Sequence, residues 1–85
     1  MSELQLKIIA SRVYAYLKAK KKRKESKSYD SKLQASEDIA LLNLSDMLTI
    51  YLDKSINPAE DFDKLDISAD DKTFMNNVRE IVKRY

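Results

Sequence analysis

Apolar residues return along this chain at the three- and four-residue spacing of a buried helix face. Leu6, Ile9, Ala10, Val13, Tyr16 and Leu17 make the first stripe, with Leu4 and Ile8 opposite it. Continued at the same spacing, the stripe runs onto Lys20, Lys24 and Lys27. Ammonium groups are very costly to bury, so the pattern predicts that this helix leaves the core near Lys18. Residues 18–28 are then displayed to solvent, as a helical extension or as a loop.

A second helix is predicted from Ser31 or Ser36 to Asp53. Leu33, Ala40, Leu41, Leu44, Met47, Leu48 and Tyr51 line one side of it, and Ile39, Leu42 and Ile50 lie on the other. A helix apolar almost all round is expected to be central, covered on two faces. In a chain this short, one of those covers is expected to be a second copy of the protein, giving a helical homodimer.

The stretch "SINPAEDFDKLDISADD" carries two helix starts. Asn57 stands as a cap, Pro58 takes the first helical position, and Glu60 sits three residues after the cap. This short helix is predicted to reach about Leu65, with Phe62 and Leu65 facing the core. Ser68 is read as the next cap, with Asp71 three residues on and Asp70 favouring the positive helix end. A last helix follows to the C-terminus on Phe74, Val78, Ile81, Val82 and Tyr85. The chain has no glycine and one proline, which argues against tight hairpins and sheet. The expected fold is all-α, a small bundle of about four helices with the third short, forming a single domain over 1–85.

Composition narrows the chemistry. Without histidine, cysteine or glycine, Ser/His/Asp and Cys/His triads, thiolate zinc sites, HExxH helices and glycine-rich phosphate loops are all excluded. Asp61/Asp63 and Asp70/Asp71 could pair as acid and base, but acids in a first helical turn more simply stabilise the helix dipole. "DFDKLDISADDK" fails as a calcium loop, with Leu65, Asp66 and Lys72 where a ligand, a glycine and a glutamate belong. No enzyme, cofactor or metal is expected. The absence of cysteine, of a leader pattern and of an apolar run near ~18 residues points to a cytoplasmic chain with no membrane span.

Charge is distributed unevenly. Met1 to Lys32 holds ten Lys/Arg against three acids, and Leu33 to Tyr85 holds six against eleven. The first excess concentrates in "LKAKKKRKESKSYDSK" as Lys18, Lys20, Lys21, Lys22, Arg23, Lys24 and Lys27. Such a cluster suits an acidic protein surface, a nucleic-acid backbone or a peripheral membrane contact. Tyr14, Tyr16 and Tyr29 flank it and could stack on bases, although the stripe position of Tyr16 favours the core. The last helix presents Asp70 and Asp71 at the end a DNA-reading helix inserts, so sequence reading through it is not expected.

Residues Tyr51 to Leu65, "YLDKSINPAEDFDKL", resemble the helix–turn–helix segment of bacteriocin immunity proteins. Those are small cytosolic four-helix bundles in which a charged Asn-Pro turn leads into a helix with apolar residues. The resemblance implies protection of the producer by binding a complex of toxin and membrane receptor. It places the contacts at Lys54 to Phe62 and on the C-terminal helix. The sequence as a whole predicts a small non-enzymatic binding protein acting stoichiometrically on a protein partner, in an inhibitory or protective role. Its expected contacts are the seven basic residues or the Ile39, Leu42 and Ile50 face. The alternative is a nucleic-acid-binding accessory protein using residues 18–27.

Overall fold

The computed structural model describes residues 1–53 and 57–85. Four helices follow in order: α1 (Glu3–Glu25), α2 (Ser31–Leu52), the short α3 (Pro58–Asp61) and α4 (Asp71–Val82). No strand occurs among the described residues.

Local chemistry sets the boundaries. At the start of α1 the Ser2 hydroxyl accepts from the Gln5 N–H at 3.1 Å, and the Gln5 side chain accepts from the Ser2 N–H at 2.9 Å. This reciprocal box satisfies two donors that a helix start otherwise leaves open. Asp30 caps α2 by accepting from the Lys32 N–H at 2.9 Å. The helix stops at Asp53, whose φ of 51° is left-handed. A chain without glycine gives that position to Asp, one of the few other residues that visit it.

Helix α3 begins where the sequence places it, with Asn57 as the cap residue and Pro58 first, whereas α4 takes a different cap. Asn57 makes no side-chain bond to the backbone of α3; its amide donates to the Glu60 carboxylate at 3.4 Å. The helix ends at Asp61, and Phe62 to Lys64 form a turn. For α4 the cap is Asp70, which accepts from the Thr73 N–H at 2.8 Å. Ser68 is held away in a turn, its own N–H and hydroxyl donating to Asp66 at 2.8 and 2.6 Å.

The core is one cluster drawn from α1, α2 and α4 and from the turn after α3. Leu6, Ile9, Val13, Tyr16 and Leu17 of α1 meet Leu44 and Leu48 of α2 and Phe74, Val78, Ile81 and Val82 of α4. Phe62, fully enclosed, fills the space beneath the turn that follows α3. Tyr14 sets its ring edge-on to Phe74, with centroids 6.0 Å apart. Both α2 and α4 pack on α1, and α3 packs on α2, so α1 and α2 form the central pair. The second apolar face of α2, with Ile39, Leu42 and Ile50, is left open within the single chain.

Candidate partner-binding surfaces

The basic stretch does not leave the core at Lys18. Helix α1 continues for two further turns to Glu25 because two of its cations find carboxylates on neighbouring segments. Lys20 lies on the core side, and its ammonium donates to Asp63 in the turn after α3. Its aliphatic stem covers apolar surface while the charge reaches a partner, which removes the burial penalty that the sequence pattern implied. Arg23 forks onto Glu37 of α2, with Nε on one oxygen and a second bond of 3.2 Å to the other. Glu37 is 6% exposed, the one charged side chain among the buried residues described. Gln34 adds a bond of 3.1 Å to Glu37 and another of 3.0 Å to Asp38.

Tyr16 is buried between these two pairs, and burial raises its phenol above the usual tyrosine range. The bond to Asp63 raises the Lys20 ammonium, and the same bond lowers the Asp63 carboxyl. The bond to Glu37 likewise raises Arg23. The shifts of Lys20, Asp63 and Arg23 favour the charged forms that the pairs require, and that of Tyr16 favours its neutral phenol.

Of the seven basic candidates, Lys20 and Arg23 therefore belong to the fold and not to a displayed patch. Lys18, Lys21, Lys22, Lys24 and Lys27 are exposed. Lys21 stands 3.9 Å from Glu25 on the same helix face. Lys18, Lys22, Lys24 and Lys27 form no ion pair among the described residues. Tyr29, on the connector to α2, is 79% exposed. The sequence carried a signal for the paired set: Glu37 sits on the stripe of Leu33, Ala40, Leu41 and Leu44, where a carboxylate demands a cation.

A second surface lies on the side of the α1–α2 pair away from α4. Ile39, Leu42 and Ile50 are 60, 60 and 66% exposed, and Leu4 is 68% exposed. Arg12 and Ala15 of α1 face Ser36, Ile39, Ala40 and Asn43 of α2 across an open groove of about 260 Å³. Leu4, Ile8, Arg12 and Ala15 share one side of α1, as Ile39, Asn43, Met47 and Ile50 share one side of α2. Leu42 sits on the outer shoulder of α2, outside the groove.

Among the described residues no group of three His, Cys, Asp or Glu side chains could hold a metal ion. No described helix is long and apolar enough to cross a membrane. No protein-family model, curated protein or solved structure matches the chain. Of the contact surface that the immunity-protein resemblance implies, Lys54 to Ile56 lie outside the described residues. Pro58 and Phe62 are buried in the core, which leaves Asn57 and Glu60 as the fully exposed positions of that segment.

Proposed function

We propose that this chain is a non-enzymatic binding protein that associates stoichiometrically with an acidic protein surface through the free lysines of the α1 end. The observation that carries this reading is the division of the basic run. Two cations staple α1 to its neighbours, and Lys18, Lys22, Lys24 and Lys27 are left on a helix end and connector held in place by those staples. The one arginine of the run is occupied by Glu37. Bidentate reading of phosphate or guanine, which arginine performs best, is therefore not on offer, whereas lysine point charges suit long-range steering toward carboxylates. Protection of the immunity type is a special case of this reading, supported by the resemblance over Tyr51 to Leu65.

A nucleic-acid partner is the second reading, favoured by Tyr29, which stands exposed beside Lys27 and could stack on an unpaired base. One experiment separates them: affinity capture from the native host, with and without nuclease, using wild type and a variant with Lys18, Lys21, Lys22, Lys24 and Lys27 changed to Gln. Under the protein reading, a defined protein survives nuclease and is weakened at least ~10-fold in the variant at low salt, the difference shrinking as salt rises. Loss of the captured material on nuclease treatment selects the second reading. A variant that captures the same protein equally well refutes both.

A further inference from the structure

We propose that a second copy of this chain covers the open face of the α1–α2 pair, with the twofold axis running along the helices. This goes beyond the basic-end reading and does not rest on it. The starting observation is that both helices carry apolar side chains on the same open side: exposed Leu4 and half-buried Ile8 from α1, and exposed Ile39 and Ile50 with half-buried Met47 from α2.

Their levels along the pair decide the geometry. The helices are antiparallel: Glu3 and Leu6 share a cleft with Leu52, and Arg12 and Ala15 share the groove with Ser36 to Asn43. Leu4 is therefore level with Ile50, Ile8 with Met47, and Ala15 with Ile39. A twofold axis along the helices lays α1 of one copy on α2 of the other, antiparallel, at these same levels. Apolar residues then meet apolar residues at three heights, with the Arg12 level between the second and third, and each contact occurs twice, as an isologous interface requires.

Charge supports the same pairing. Helix α1 carries eight Lys/Arg against two acids, and α2 carries one lysine against three acids. Packing α1 on the partner's α2 opposes unlike helices and brings Arg12 beside Asn43 and Asp46 of the second copy. Packing α1 on α1 opposes like charge instead. The exception is the basic end, where Lys22 meets the second copy's Lys32 and the contact repels.

The area is adequate. Helices of 23 and 22 residues give a face about 33 Å long and roughly 20 Å wide, near 650 Å² per copy. Specific interfaces bury ~800 Å² per partner, so the dimer belongs at the weak end, with a micromolar dissociation constant.

Sedimentation equilibrium tests this on wild type, Leu4→Glu and Ile50→Glu, with circular dichroism confirming that each variant remains helical. Wild type is expected to be dimeric at ~100 μM. Both variants are expected to be monomeric at that concentration. The chain has no cysteine, so single variants Leu4→Cys and Ile50→Cys report the arrangement directly. Mixed and oxidised, they should form covalent dimer at least ~10-fold faster than either alone, since only the mixture aligns the two thiols. A wild type that stays monomeric at several hundred micromolar overturns the proposal and leaves the face to a different protein. Glutamate variants that keep the dimer mass, or Leu4→Cys linking to itself as fast as the mixture, overturn it equally.

Discussion

Phe62 offers the sharpest test of how the fold is held. It lies outside any helix, in the turn after α3, yet no part of it reaches solvent. Truncation to alanine removes the ring from a core to which α1, α2 and α4 all contribute, and a Phe→Ala change of this kind costs about 3–5 kcal/mol. A domain of 85 residues has roughly 4–13 kcal/mol of stability in total at ~0.05–0.15 kcal/mol per residue. The substitution therefore removes a large part of the whole. At ~4–8 °C per kcal/mol for a domain of this size, Tm should fall by roughly 12–40 °C. Phe62→Leu keeps most of the volume and should cost about 1–2 kcal/mol. Thermal and urea unfolding followed by circular dichroism measure both. A Phe62→Ala variant within ~1 kcal/mol of wild type would mean that the turn does not seal the core, and the placement of Asp63 beside Lys20 would fall with it.

The basic run should separate into two classes. Changing Lys18, Lys21, Lys22, Lys24 and Lys27 to Gln should leave Tm unchanged or slightly higher, whereas Lys20→Gln should lower stability by up to ~1 kcal/mol, the upper range for a partly exposed pair; equal effects in a melting series would contradict the structure. Stability should also depend on pH at both ends. Asp63 is held below the usual carboxylate range by Lys20, as are Asp66 by bonds from Ser68 and Asp70 by the Thr73 N–H. Their contribution is complete above the unfolded value near ~3.9 and is lost as pH falls through the lowered folded values. Lys20 is raised by Asp63, and the Tyr85 phenol is raised to about 12 by burial and by its bond to Asp61. Those contributions are complete below the unfolded values near ~10 and disappear as pH rises through the folded ones. Urea midpoints should therefore be level from about pH 5 to pH 9 and fall on either side; a midpoint unchanged between pH 5 and pH 2 would refute the lowered carboxyls.

The helices were legible in the sequence because each carries its own periodic stripe, and tertiary packing agrees with it. Leu6 to Leu17, Leu44 with Leu48, and Phe74 to Val82 all lie where their spacing places them. What spacing could not supply was the partner of a misplaced charge. Lys20 on an apolar stripe reads as the end of a buried helix, because the pattern of one segment does not contain Asp63, which is 43 positions away. The same blindness hid the Arg23–Glu37 pair, although Glu37 on the stripe of α2 announced that a cation was needed. Capping failed for a different reason. Ser68 and Asp70 both fit the start of α4, and the choice went to Asp70 once Ser68 was drawn into the turn with Asp66. The exposed faces, by contrast, were legible as a surplus: Ile39, Leu42 and Ile50 lie beyond what one stripe can bury, and they are exposed.

The two ion pairs change what the remaining lysines can do. A basic run in a loose loop is as attractive to an anion at long range as one on a helix, because steering depends on net charge and screening length. It differs at contact. Holding a loop in one arrangement costs about 1–2 kcal/mol for every residue fixed, and that ordering is subtracted from the affinity. In this chain the cost is met on folding, since α1 is already helical to Glu25, with Lys20 and Arg23 fixing its last turns against Asp63 and Glu37. Lys18 and Lys22 are then neighbours on one face at four-residue spacing, while Lys21 and Lys24 lie on an adjacent one. The partly exposed Lys20–Asp63 pair adds little to stability, whereas Arg23 neutralises a carboxylate that is buried. Their larger effect is on geometry: of the seven cations, two fix the helix, four are presented by it, and Lys27 follows on the connector.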